Sequence, residues 1–285
     1  MTDIQRVGVI GCGLMGAGIT EVCARSGVDV VVRDINDDVL NAGKGRITAS
    51  FDRAVKAGKL TAENRDTALG RITFTTDLGD MADRDLVIEA ASENESIKTQ
   101  VFRDLDAIVT SPDAILATNT SSIPIVKVAV VTKRPENVLG VHFFMPAPVM
   151  PLVELVRSIS TSDDALERSK AFVGGVLGKT VIVAQDRSGF VVNALLVPYI
   201  LSAVRMYEGG YASREDIDTG MVAGCNMPMG PLALADLVGL DTLKAVADSM
   251  YDEFKEPLYA APPLLQRMVA GQRFGRKNGR GFYDY

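Results

Sequence analysis

A single histidine, His142, stands in this 285-residue chain, directly after the β-branched run Val138–Val141. That run reads as a short strand. Imidazole exchanges protons near neutral pH, so its partners decide whether it is a base or a core side chain. Twelve residues on, Glu154 interrupts the apolar run Leu152–Val156. A carboxylate in such a stretch needs a partner, because an unpaired buried charge is costly. His142 is the natural one. The pair would fix the imidazole tautomer and raise its basicity, as a general base and its orienting acid require. A polar cluster, Asn119–Ser122, follows the strand-like run Ile115–Thr118, and ligands in open α/β sheets bind beyond the carboxyl ends of strands. Asn193 is a lone amide in the apolar run Phe190–Val204. Taken singly, Asn193 reads as a helix–helix hydrogen bond and His142 as a satisfied core histidine. A second motif upstream changes the reading of both.

That motif is Gly11-Cys-Gly-Leu-Met-Gly16, a G-x-G-x-x-G sequence between the strand-like Val7–Ile10 and a helix-like segment. Gly11 makes the tight turn, Gly13 lets backbone approach a pyrophosphate, and Gly16 lets helix pack on strand. The helix N-terminus turns free N–H groups toward phosphate. The next apolar run, Val28–Arg33, ends at Asp34, twenty-three residues after Gly11, where an acid binds the adenosine ribose. An acid there repels a 2′-phosphate, so NAD is expected rather than NADP, although the adjoining Arg33 could tolerate that phosphate. Gly11, Cys12, Gly13, Leu14, Met15, Gly16 and Asp34 are therefore candidate cofactor contacts. Cys12, at a helix N-terminus, is expected to have a lowered thiol pKa and to be alkylatable, with NAD shielding it; a small inert packing residue is the plainer reading.

The elements that must position these groups follow from hydrophobic patterning. Short continuous apolar runs at Val7–Ile10, Val28–Arg33, Leu86–Ala90, Ile115–Thr118 and Val138–Val141 suit parallel strands covered on both faces. Alternation with helical segments implies a Rossmann-like doubly wound sheet. Within Asn41–Leu60, Ile47, Phe51, Ala54 and Val55 form one helical face, and Arg46, Arg53, Lys56 and Lys59 lie away from it. Those cations read as a solvated face or as a clamp for the phosphates of a large anionic substrate. The strand pattern stops near Asp186. Residues 186–285 read as a mostly helical domain, with a long helix over Phe190–Glu208, a capping-box start at Ser213, Pro231 in a first turn and a loop at Glu256–Pro263. The expected division is 1–185 and 186–285. A net charge of −6 argues against non-specific nucleic-acid binding. No membrane span is expected. The three cysteines, without C-x-x-C spacing, suit reduced thiols in the cytoplasm, and one histidine argues against a zinc site.

The chain resembles the L-3-hydroxyacyl-CoA dehydrogenase family, above all its short bacterial members acting on 3-hydroxybutyryl-CoA. The resemblance runs through the glycine loop at 8–18, Ile88–Asn94, Asn119–Ser122, His142–Phe144, Gly189–Asn193, Met227–Pro231, Gly239–Asp241 and Lys277–Tyr283. It implies oxidation of the 3-hydroxyl of a short acyl-CoA in fatty-acid or butanoate metabolism, by a homodimer. His142 would be the base, Glu154 its orienting acid, and Ser121 and Asn193 the groups holding the reacting oxygen and thioester. It adds Glu93, Lys98, Ser121, Met145 and Lys277 to the cofactor contacts, and Ser50 and Lys56 as coenzyme A contacts. Met145 replaces the family's usual asparagine at the nicotinamide end, and a thioether lacks an amide's donors, so weaker cofactor binding is expected. Ser188 replaces a common proline and is expected to loosen the domain boundary. The alternatives are a sugar-acid (L-gulonate-type) 3-dehydrogenase, which needs no phosphate clamp, and a non-catalytic NAD-binding structural protein such as a lens crystallin.

Overall fold

Strands with no polar alternation have no face to offer solvent, and the computed structural model, which describes residues 4–285, buries them accordingly. Its first unit, through Arg187, contains β1 (Arg6–Ile10), β2 (Asp29–Arg33), β3 (Ile72–Thr75), β4 (Leu86–Glu89), β5 (Ile115–Thr118), β6 (Val138–Phe143), β7 (Leu152–Arg157) and β8 (Thr180–Gln185). They form one sheet in the order β3-β2-β1-β4-β5-β6-β7-β8. Chain order reverses on either side of β1, which opens the crevice where such sheets bind nucleotides. Every residue of β4, β5 and β6 is buried. The edge strands β3 and β8 are at least half-exposed along most of their length; β3 alternates with threonine, so no continuous apolar run marks it, whereas β8 carries the run Val181–Ala184. All neighbours are parallel except β6 and β7, which run antiparallel.

Helices α1 (Leu14–Arg25), α2 (Asp37–Lys56), α3 (Ala62–Leu69), α4 (Glu95–Ile108), α5 (Ile125–Ala129) and α6 (Asp163–Lys170) complete this unit. Asn36 and Asn94 cap α2 and α4 by accepting from Val39 N (3.0 Å) and Ile97 N (3.1 Å), satisfying first-turn donors. No side chain caps α1. On the apolar face of α2, Ile47 and Phe51 are buried and Ala54 and Val55 half-buried, and Leu40 is buried one turn into the helix.

The second unit, Ser188–Tyr285, is built from α7 (Val192–Glu208), α8 (Arg214–Cys225), α9 (Pro231–Val238), α10 (Leu240–Phe254) and α11 (Pro263–Ala270). Ser213 caps α8, accepting from Asp216 N at 3.0 Å. Pro263 opens α11 rather than closing a loop, because proline suits a first helical turn. Ile200, Leu201, Leu232, Leu240, Leu243 and Leu265 form the core. The C-terminal tail is held to it by buried Asp236, which accepts from Phe282 N and Tyr283 N, both at 2.9 Å. Among the described residues no helix is long and apolar enough to cross a membrane.

Candidate active site

The antiparallel pairing of β6 and β7 sets His142 directly opposite Glu154. Residues opposite one another project to the same face, so a histidine and a glutamate twelve residues apart meet there: His142 Nδ1 lies 2.7 Å from Glu154 Oε2. Glu154 is fully buried and His142 is 4% exposed. An ionised carboxylate can only accept, so Nδ1 carries the proton and Nε2 keeps its lone pair. Nε2 lies 3.0 Å from Ser121 Oγ. Phe144 packs on the imidazole at 4.7 Å between ring centres, which further limits its motion.

Ser121 sits on the loop after β5, and a network of carboxylates shapes that loop. Asn119 Oδ1 accepts from Phe143 N at 2.8 Å, tying the loop to the strand that carries His142. Glu93 Oε1 accepts from the Thr120 hydroxyl, from Ser121 N (3.1 Å) and from both N (3.2 Å) and Oγ (2.9 Å) of Ser122. Burial opposes ionisation of Glu93, yet Lys98, these hydroxyls and the Ser121 amide hold its carboxyl below the usual range. Lys98, from α4, is 1% exposed. Its ammonium donates to both oxygens of Glu89 (2.7 and 2.9 Å) and lies 3.4 Å from Glu93 Oε2. Glu89 is the acid near the end of the run Leu86–Ala90 and was not among the candidate site residues. Its signal was the one that singled out Glu154, an acid in an otherwise apolar strand.

The glycine loop fits a dinucleotide. Gly11 has φ +94°, and a Cβ there would stand 2.8 Å from Ala90 O; a Cβ on Gly16 would stand 1.7 Å from Gly11 O. Both positions exclude any larger residue, whereas Gly13 faces open space. With no side-chain cap on α1, its first-turn N–H groups remain for phosphate. Leu14 is exposed and Met15 half-exposed beside them. Asp34 lies just beyond β2, its carboxylate oriented by Cys12 N (2.6 Å) and Ile35 N (2.7 Å). Arg33 donates from Nε to Thr76 O at 3.1 Å.

One expectation is overturned here. The Cys12 thiol is not activated: the residue is fully buried, and burial, with Asp34 adding to it and Arg46 opposing, pushes the thiol up to about 11. The side chain points inward at α2, so close that a Cβ on Gly43 would stand 2.1 Å from its Sγ. Thus Cys12 offers the loop a backbone N–H, already given to Asp34, and a packing group, but no reactive thiolate.

A groove of about 560 Å³ runs along α1 and α2, with Leu14, Ala17, Gly18, Glu21, Arg46, Ser50, Arg53 and the Met145–Pro148 segment lining it. Met145 is 61% exposed at this groove. Ser50 faces Glu21, a buried carboxyl raised by burial against the opposing pull of Ser50, Arg25 and Arg53. Lys56 is exposed in the last turn of α2. In the second unit, Asn193 lies in the first turn of α7. Lys277 Nζ is held by Asp241 (2.8 and 3.1 Å) and Thr242 Oγ1 (2.8 Å). Ser188 N donates to Glu253 Oε2 at 2.7 Å and its hydroxyl lies 3.0 Å from Ser249 Oγ; the backbone bond is one that proline could not make.

Residues 6–187 match the model of the 3-hydroxyacyl-CoA dehydrogenase NAD binding domain, and residues 189–285 match that of the 3-hydroxyacyl-CoA dehydrogenase C-terminal domain. The chain is 60% identical over 286 residues to the 3-hydroxybutyryl-CoA dehydrogenase of Mycobacterium tuberculosis, covering 100% of both chains. It is 44% identical over 282 residues to that of Bradyrhizobium diazoefficiens, covering 99% of this chain and 96% of the relative. The crystal structure of (S)-3-hydroxybutyryl-CoA dehydrogenase from Ralstonia eutropha superposes with a TM-score of 0.95 at 45% identity, covering 99% of each chain. The opposed histidine and glutamate, the dinucleotide loop and these full-length matches agree: the chain belongs to the 3-hydroxyacyl-CoA dehydrogenase family.

Proposed function

We propose that the protein interconverts (S)-3-hydroxybutyryl-CoA and its 3-oxo counterpart, with NAD as the redox partner. The observation that carries this reading is the Glu154–His142–Ser121 series, in which a buried carboxylate sets the tautomer and leaves Nε2 facing a hydroxyl. The dinucleotide held by the Gly11–Gly16 loop and Asp34 would supply the hydride acceptor for the substrate's C3, or the donor in reduction. His142 Nε2 takes the proton of the 3-hydroxyl. Glu154 stabilises the imidazolium that results, which matters most in a buried site where an isolated charge is costly. Ser121 donates to the reacting oxygen, and Asn193 holds the thioester end. In reduction, the His142 imidazolium delivers its proton to the forming alkoxide.

Gly11–Gly16 and Asp34 would hold the pyrophosphate and adenosine ribose, Met145 belongs to the nicotinamide end, and Lys277 is a further cofactor contact. Glu93 and Lys98 shape that side of the site. Ser50 and Lys56, with Arg46 and Arg53 along the groove, receive the coenzyme A arm: an apolar floor with cations at its rim suits a pantetheine chain ending in phosphates. A small sugar acid has no use for such a groove, and a structural protein has none for the buried acid–base series. The active species is a homodimer in the cytoplasm.

The test is an NADH absorbance assay against 3-hydroxybutyryl-CoA, longer 3-hydroxyacyl-CoA thioesters and L-gulonate, with NAD and NADP compared. Turnover is expected with the CoA thioesters and NAD. Turnover of L-gulonate alone would overturn the reading.

A further inference from the structure

We propose that Lys179 is a positioning residue for the substrate, fixing the 145–150 loop as a wall of the groove that receives the coenzyme A arm. The inference rests on the reading of that groove given under the proposed function. The loop joins β6 to β7 and reads Met145-Pro-Ala-Pro-Val-Met150, with Pro151 after it. Proline has no N–H, so the segment has few donors with which to tie itself down. Val149 N (2.9 Å) and Met150 N (3.0 Å) both turn back onto Pro146 O. Apolar burial adds little: Met145, Pro146, Val149 and Met150 are exposed, and Ala147 is buried.

The Lys179 ammonium supplies the missing donors. It gives hydrogen bonds to Ala147 O at 2.7 Å and to Met150 O at 2.8 Å, so one charged group spans the loop from its middle to its end. Bonds from a charged donor are the strong ones. The lysine itself starts from fixed backbone. Its N–H closes onto Val173 O (3.1 Å), and Thr180 N beside it donates to Pro151 O (2.8 Å), where β8 begins its pairing with β7. Helix α1 meets the side chains of the same loop: a Cβ on Gly18 would stand 3.1 Å from Pro148 Cδ and 3.2 Å from Ala147 Cβ. Burial and Arg25 of α1 lower the Lys179 pKa, against the pull of Glu21 on that helix, so the ammonium lies within reach of the charges of α1. The loop is thus held at its carbonyls by Lys179 and fitted at its side chains to Gly18. Its Met145–Pro148 part lines the groove together with Arg46, Ser50 and Arg53. Release of the two carbonyls would let this wall shift, and a substrate arm lying on it would lose contacts that ground state and transition state share.

The test is steady-state kinetics on the full-length enzyme with 3-hydroxybutyryl-CoA and with the 3-hydroxybutyryl thioester of pantetheine, which lacks the nucleotide. Lys179→Met should raise the Michaelis constant for both by about tenfold and change kcat by less than about threefold, because the lost contacts are shared by ground and transition states. Lys179→Arg, which keeps a cation with several donors, should stay within about threefold of the parent enzyme. Gly18→Ala should raise the same constants by about threefold by pressing on the loop, and should add nothing in a Lys179→Met background, since a released loop yields to the extra methyl. An additive effect of the two substitutions overturns the proposal. A rise confined to the CoA thioester and erased by high salt would make Lys179 a phosphate contact and also overturns it. So does an unchanged Michaelis constant in folded Lys179→Met, a loss in kcat alone, or a Lys179→Arg enzyme as impaired as Lys179→Met. Should Lys179→Met fail to fold, Lys179→Gln, whose amide is shorter and uncharged but still donates, serves in its place with the same outcomes. Arg53→Gln combined with Lys56→Gln reports on the groove separately. If that pair leaves the Michaelis constant for 3-hydroxybutyryl-CoA unchanged, the coenzyme A reading of the groove fails and the proposal with it. If the pair raises it while Lys179→Met does not, the proposal alone fails.

Discussion

At the scale of single residues, the site depends on which nitrogen of His142 carries the proton. Glu154 decides that, because a carboxylate offers Nδ1 only acceptors. Glu154→Gln keeps the volume of this fully buried side chain but lets an amide donor face Nδ1, which favours the unproductive tautomer. Its kcat should fall by about 10³–10⁴-fold with little change in melting temperature, measured by NADH absorbance and circular dichroism. His142→Ala should fall by about 10²–10⁴-fold; unchanged turnover would remove His142 from the mechanism. Met145 is the residue that departs from its family. It stands 61% exposed beside Leu14 at the groove, with no donor for a carboxamide or ribose. Met145→Asn should lower the Michaelis constant for NAD by roughly fivefold, the worth of one hydrogen bond. A rise would place Met145 outside the cofactor site.

At the scale of elements, the reversal of β7 matters most. A parallel neighbour would need a long crossover; the antiparallel pairing brings Glu154 to His142 through a short connection. The pair of helices α1 and α2 carries two further predictions. Glu21, on α1, is buried and its pKa is raised by that burial. A carboxyl whose folded pKa exceeds its unfolded one contributes least once ionised, so stability falls as pH rises through the carboxylate range. Glu21→Gln should therefore raise the melting temperature near pH 7, by about 2 °C, and the gain should vanish on acidification toward about pH 4. Arg53 and Lys56 lie exposed on α2. Replacing both with glutamine should raise the Michaelis constant for 3-hydroxybutyryl-CoA, and leave that for a truncated thioester lacking the nucleotide unchanged. The difference should shrink at high ionic strength, which screens exposed charges.

At the scale of the whole molecule, the second unit exposes Tyr211 (84%) and Leu195 (72%), and a homodimer is expected to sediment as a two-chain species at micromolar concentration. Much of the architecture was legible beforehand. Central strands buried on both faces read as continuous apolar runs, which is how β1, β2, β4, β5 and β6 were found. The edge strand β3, half-exposed and alternating with threonine, does not, so it escaped, and short α3 with it; β8 escaped although Val181–Ala184 is such a run. The helical second unit was legible from its caps, because Ser213 and Pro231 act within one turn of chain. The glycine loop and Asp34 were legible for the same reason: each glycine answers a steric demand of its own immediate backbone. By itself, then, the sequence determined the dinucleotide turn, the fold class and that Glu154 required a partner, since these follow from local geometry and from the cost of burying a charge. Tertiary structure alone decided that β7 runs antiparallel in the register that makes His142 this partner. It also decided that Cys12 is an inert thiol facing α2 and that Lys98 is enclosed by two carboxylates. Those outcomes depend on which distant segments exclude water from a side chain, and that is a property of packing rather than of spacing along the chain.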